Sequence, residues 1–160
     1  MIMLLRQPHF FTADELELAA ERAWRISFAD GKSSKHCVVQ SGKATFVKAG
    51  PHVISFFYYP GPYIENPKTN VEWLPQASQR HAWSQHSFCI GVDYLNRDVD
   101  AELGYCILSK LVAEMLDGNC TGIYIPREST LIPNDESAYL ELQKIASSRE
   151  SGVILGASPD

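Results

Sequence analysis

The sequence predicts an α+β domain, a two-layer α/β sandwich with a mixed sheet, loosely ferredoxin-like, in the order βαβββ(α)βαβα. Three observations carry that prediction. Extended runs cluster between residues 37 and 59 instead of alternating strictly with helices, the pattern of strands gathered into one sheet with helices laid on it. Two segments carry apolar stripes at helical spacing, and each stripe needs a partner surface to cover it. At 160 residues, 45% hydrophobic and 21% charged, the chain has the size and composition of one globular domain. That domain is expected over residues 1–150, with 151–160 as a C-terminal tail.

The apolar opening Met1 to Leu5, followed at once by Arg6, Gln7 and Pro8, reads as a first strand and not as a signal peptide. Thr12 and Glu15 then form a capping box, with Phe11 and Leu16 as a hydrophobic staple. They open a helix whose Leu16, Ala20, Ala23 and Trp24 share a face as far as about Ser27, before a break at Asp30-Gly31. Strands are predicted at Cys37 to Gln40, Ala44 to Lys48 and Val53 to Tyr59, joined by short glycine-containing turns as an antiparallel meander. Pro60, Pro62 and Pro67 stiffen an excursion that cannot be helical, and Thr69 to Gln85 is weakly helical, with Pro75 kinking or restarting it. Ser87 to Leu95 alternates cleanly, placing Phe88, Ile90, Val92 and Tyr94 on the core face. A long helix from Asp98 to Asp117 carries Leu103, Ile107, Leu111 and Met115, and Gly118 closes it. Thr121 to Ile125 is the strand after it, expected to lie parallel to Ser87 to Leu95, and a last helix runs through Tyr139, Leu142 and Ile145.

The charge pattern narrows the function. Net charge is −5, and the Lys and Arg residues are scattered singly, so no basic stripe is available for phosphates and nucleic acid is not an expected partner. No apolar run is long enough for a membrane. Cys37, Cys89, Cys106 and Cys120 fall singly in apolar segments, as buried thiols of a reducing cytoplasm do, so a cytoplasmic location is expected. Asn119-Cys120-Thr121 matches a glycosylation sequon only by accident in that setting. There is no CxxC, HExxH, GxSxG, phosphate-cradling glycine loop or dinucleotide fingerprint, so neither a metal nor a cofactor is expected.

Three sets of residues are candidates. His86 at the entrance of the Ser87 strand could act as a base with Asp93, but seven residues of regular strand put the two on opposite faces unless Gly91 marks a bulge. Asp93, Tyr94 and Asn96 stand beside Tyr124, Arg127 and Glu128 where two parallel strands would end, with Arg127 expected in a surface ion pair. Phe56, Phe57, Tyr58, Tyr59, Tyr63 and Trp73 crowd the third meander strand and the excursion, as core or as an exposed Tyr/Trp patch. The favoured function is a non-enzymatic binding or interaction module, for a protein or small-molecule partner, using Tyr63, Trp73, Tyr59, Arg127 and Glu128. The alternative is a small hydrolase or transferase built on His86 and a neighbouring acid.

Gln85 to Asp93, Lys110 to Asp117 and Tyr124-Ile125-Pro126, with an echo in Pro62-Tyr63, resemble an uncharacterised bacterial domain family. The resemblance covers mainly residues 80–130 and rests on a histidine, a strand ending in Val-Asp, a Lys-Leu-x-Ala-Glu helix and a Tyr-x-Pro strand end. It implies the same fold and carries no activity.

Overall fold

The computed structural model describes residues 1–28, 35–42, 44–96 and 100–148. The expected Asp30-Gly31 break, a helix start at Asp98, and the limit at residue 150 with the 151–160 tail lie outside these residues.

The chain runs β1 (Ile2–Leu5), α1 (Ala13–Trp24), β2 (His36–Ser41), β3 (Ala44–Ala49), β4 (His52–Tyr59), α2 (Ala77–Gln85), β5 (Phe88–Tyr94), α3 (Ala101–Glu114), β6 (Cys120–Ile125), β7 (Thr130–Pro133) and α4 (Ala138–Ser147). The Thr12 capping box forms, with Thr12 N–H donating to Glu15 Oε2 at 2.7 Å and Glu15 N–H donating to Thr12 Oγ1 at 3.2 Å. α1 ends earlier than expected, where Arg25 turns left-handed at φ 54° and its N–H donates to the Glu21 carbonyl. α2 starts only after Pro75, and Asp100 caps α3 by accepting from Glu102 N–H at 3.0 Å.

The seven strands form one sheet in the order β2-β3-β4-β5-β1-β6-β7. Every pairing is antiparallel, so the sheet is not the mixed one expected. The reason is the position of β1. β5 and β6 do run in the same direction, but β1 lies between them and pairs antiparallel with both: Met3 faces Ile90 on one side and Ile123 on the other. The inner order β4-β5-β1-β6, with α1 after β1 and α3 between β5 and β6, is the split βαβ arrangement of ferredoxin-like domains. The β2–β3 hairpin extends that core on one side. β7 extends it on the other, through the left-handed Ser129 (φ 50°) that follows the short 3-10 turn Pro126–Glu128.

One face of the sheet meets α1, α3 and α4. Met3, Ile54, Phe56, Ile90 and Ile123 are fully buried there against Leu16, Leu111, Val112 and Leu142. The core-face parity of β5 is as the alternation predicts, with Phe88, Ile90 and Val92 inside. The opposite face is not bare. Leu4, Cys89 and Leu131 bury against Leu74, Ala82 and Trp83, which places α2 and the end of the proline excursion on the reverse side of the sheet. Gln79 ties this layer down, its Nε2 donating to the Leu131 carbonyl at 2.9 Å.

Candidate functional site

His86 follows α2 in extended conformation (φ −80°, ψ 141°) and does not belong to β5, so strand parity does not govern its direction. Its ring turns to the reverse face, against Trp83 at 5.2 Å between ring centroids. The two partners fix its tautomer. The Trp83 carbonyl can only accept, so Nδ1 carries the hydrogen and donates to it at 2.5 Å. The Tyr63 backbone N–H can only donate, so Nε2 accepts from it at 3.1 Å. The side chain is 2% exposed, and burial pushes its pKa below the ordinary value, which keeps the ring neutral. Both nitrogens are thus committed to backbone groups, and among the described residues no carboxylate bonds to the ring. Asp93 lies at the other end of β5 and is exposed, with Oδ1 accepting from Tyr94 N–H at 2.9 Å. The β5 registers with β1 and β4 run unbroken through Gly91, so no bulge brings the pair together.

What His86 does hold is the excursion. Its Tyr63 bond anchors one end, and the Trp73–Leu74 stretch anchors the other. In between, Asn70 Nδ2 donates to the Glu65 carbonyl at 3.0 Å and Trp73 Nε1 donates to the Asn70 carbonyl at 3.2 Å. Arg80 closes the segment by donating to the Leu74 and Pro75 carbonyls at 2.6 and 2.9 Å. The result is a ledge of rings, Trp73 edge-on to Trp83 at 5.1 Å, Trp83 edge-on to Tyr124 at 5.4 Å and Tyr63 tilted on Tyr124 at 5.4 Å. Trp83 is 1% exposed and forms the base, whereas Tyr63 and Trp73 keep 39% and 43% of their surface open. Tyr59, 51% exposed, continues the aromatic surface across β5, where a Cβ on Gly91 would meet its ring at 3.3 Å. Burial holds the Tyr63 phenol above its ordinary pKa, so it remains a neutral donor.

The second candidate set is divided by the sheet. Asp93, Tyr94 and Asn96 line a recess of about 210 Å³ with Gly104 and Tyr105 of α3, while Tyr124 belongs to the ledge on the reverse face. Arg127 and Glu128 are exposed on the turn after β6, and among the described residues Arg127 forms no ion pair. The set therefore does not form one site. Sequence reasoning missed the His52–Tyr94 contact, Nδ1 to hydroxyl at 2.5 Å, which only the β4–β5 register creates. It also missed Trp83 and Tyr124 as the base of the ledge. The signal for Trp83 was an isolated tryptophan on a polar helix, whose apolar ring needs cover.

Among the described residues no group of three His, Cys, Asp or Glu side chains could hold a metal ion. All four cysteines are free, and burial pushes Cys89 up to about 11 and Cys120 up to about 12, which keeps both as thiols. No helix among the described residues is long and apolar enough to cross a membrane. No family model matches the chain, nor does any curated protein or solved structure.

Proposed function

We propose that the protein is a non-enzymatic binding module for a protein partner, with Tyr63 and Trp73 as the central contacts and Tyr59 at the margin. One observation carries this: two large aromatic side chains stay about two-fifths exposed on a segment whose backbone is already fixed. Fixing comes from Pro60, Pro62 and Pro67 and from the His86 bond, so ordering on binding costs little entropy. Tyr and Trp offer apolar area with a polar handle, the composition that dominates interface energetics. The arrangement around His86 argues against a hydrolase or transferase, which needs a ring nitrogen free to move a proton. Kinship with the uncharacterised bacterial family, carried by His86, Val92-Asp93 and Tyr124-Ile125-Pro126, is part of the proposal and adds no activity to it.

The test is site-specific photocrosslinking in the host from positions 63 and 73, with exposed Tyr139 as the control position. A discrete adduct at 63 and 73 but not at 139 identifies the partner. With that partner purified, Trp73→Ala is expected to weaken binding about tenfold or more. Unchanged affinity in the folded variant would move the interface elsewhere.

A further inference from the structure

A cavity of about 640 Å³ opens at the end of β4. In the β3–β4 register Ala44 faces Phe57, and β4 runs on past it so that Tyr58 and Tyr59 face Ile90 and Cys89 of β5. The β2–β3 hairpin turns back here, at Gly42 with φ 58°, a left-handed conformation that costs glycine nothing. From the opposite side the loop between β1 and α1 brings in Phe10, at 5.1 Å from Tyr58 and 5.6 Å from Phe88. The space between hairpin, strand end and loop is a notch walled by Phe10, Phe57, Tyr58, Tyr59 and Pro60.

Polar groups in that wall are few. Gln40 is engaged, its Nε2 donating to the Phe11 carbonyl at 3.0 Å. Thr45 is 3% exposed, and burial keeps the Tyr58 phenol protonated well beyond neutral pH. Among the described residues the wall contains no charged side chain. A charged ligand would lose its hydration among these rings, whereas a neutral apolar one leaves water at no such cost. The volume falls within the roughly 300–1,000 Å³ of small-molecule sites. Phe10, 62% exposed at the rim, supplies a ring that a ligand would cover.

We infer that this notch is a binding site for an uncharged, largely apolar small molecule with one hydrogen-bonding oxygen, met by the hydroxyl of Thr45 or Tyr58. It shares Tyr59 with the margin of the Tyr63–Trp73 ledge, but its test reads a dye and a Phe10 variant, so either proposal can fail alone.

Nile red, a neutral apolar fluorophore, is the probe. The whole chain is expected to give blue-shifted, saturable emission with one dye per chain, and to bind the anionic dye anilinonaphthalene sulfonate about tenfold or more weakly. Phe10→Asp is expected to weaken Nile red by at least about tenfold, and Leu140→Asp, at a position 61% exposed on α4, to leave it unchanged. If Phe10→Asp does not fold, amide shifts of Gln40, Thr45 and Tyr58 on dye titration of the wild type decide in its place. Non-saturable emission, equal binding by a folded Phe10→Asp chain, or shifts confined to the ledge would overturn the inference. So would a dimer that Phe10→Asp dissolves, since a second copy would then be the occupant.

Discussion

The core face of the sheet is covered by three helices with matching apolar stripes, whereas the reverse face is covered in part, by one short helix and a proline-rich segment pinned by an imidazole. On the first face alternating strand residues meet periodic helix residues, and little but packing is specified. On the second, cover comes from a few rings and side-chain-to-backbone bonds, and it stops short, leaving Phe57, Tyr59, Tyr63 and Trp73 at 38–51% exposure. Regular cover seals a surface. Irregular cover leaves room for recognition, which is why the proposed contacts lie on or beside the reverse face.

The hardest test of this contrast is on the sealed side. Leu111→Ala, at a position with no exposed surface, should cost about 2–5 kcal/mol through lost burial and a residual cavity, read by denaturant unfolding. A loss under about 1 kcal/mol would mean that α3 does not seal the face. Next in size is His86→Gln, expected to cost about 1–3 kcal/mol because the Trp83 carbonyl or Tyr63 N–H loses its partner. Its effect should be local, with the Tyr63 amide exchanging faster while amides of β5 hold.

The same histidine sharpens the contrast through pH. Its folded pKa lies below the ordinary value of 6.5, chiefly from burial, so below that pH the unfolded chain takes up a proton that the folded one refuses. Stability is therefore full above about pH 6.5 and falls as the pH drops towards the lower folded value. Thermal melts between pH 7 and 5 should show a shallower fall in His86→Gln than in the wild type. Some fall should persist, because burial lowers His52 in the same direction. An identical pH profile would show that the ring is not held neutral. The smallest stability effect is expected for Trp73→Ala, under about 1 kcal/mol, since much of the ring is already in water. A core-sized loss there would make the ledge a second core and remove its claim to be a binding surface.

Local patterns in the sequence carried the regular half of the molecule. The Thr12–Glu15 box, the β5 alternation and the α3 stripe each depend on residues a few positions apart, and each forms, although α3 ends at Glu114, with Met115 as its C-cap, short of the expected stop at Gly118. The insertion of β1 between β5 and β6 was not legible, because pairing between distant strands leaves no periodic mark in either. β7 was missed for brevity, although Thr130-Leu131-Ile132 bounded by Pro133 has strand composition. At the candidate site, the aromatic residues could be seen in the sequence but not which would lie beneath: Trp83 takes the buried place because α2 crosses the reverse face. His86 was misjudged by extending strand parity to a residue that ends a helix.

The position of β1 also sets a timetable. Met3 is made well before its neighbours Ile90 and Ile123, which lie 87 and 120 residues downstream. On the ribosome the β2–β3–β4 meander can close as soon as it emerges, while the interior strand β1 waits with both edges unpaired until β5 follows, and with one edge open until β6 has left the exit tunnel. Closing such loops before any contact rewards them slows folding and exposes Met3, Leu4 and Leu5 in the interval. A chain arrested before Cys120 would hold most of its elements with β1 half-paired, its open edge the kind of surface that chaperones cover.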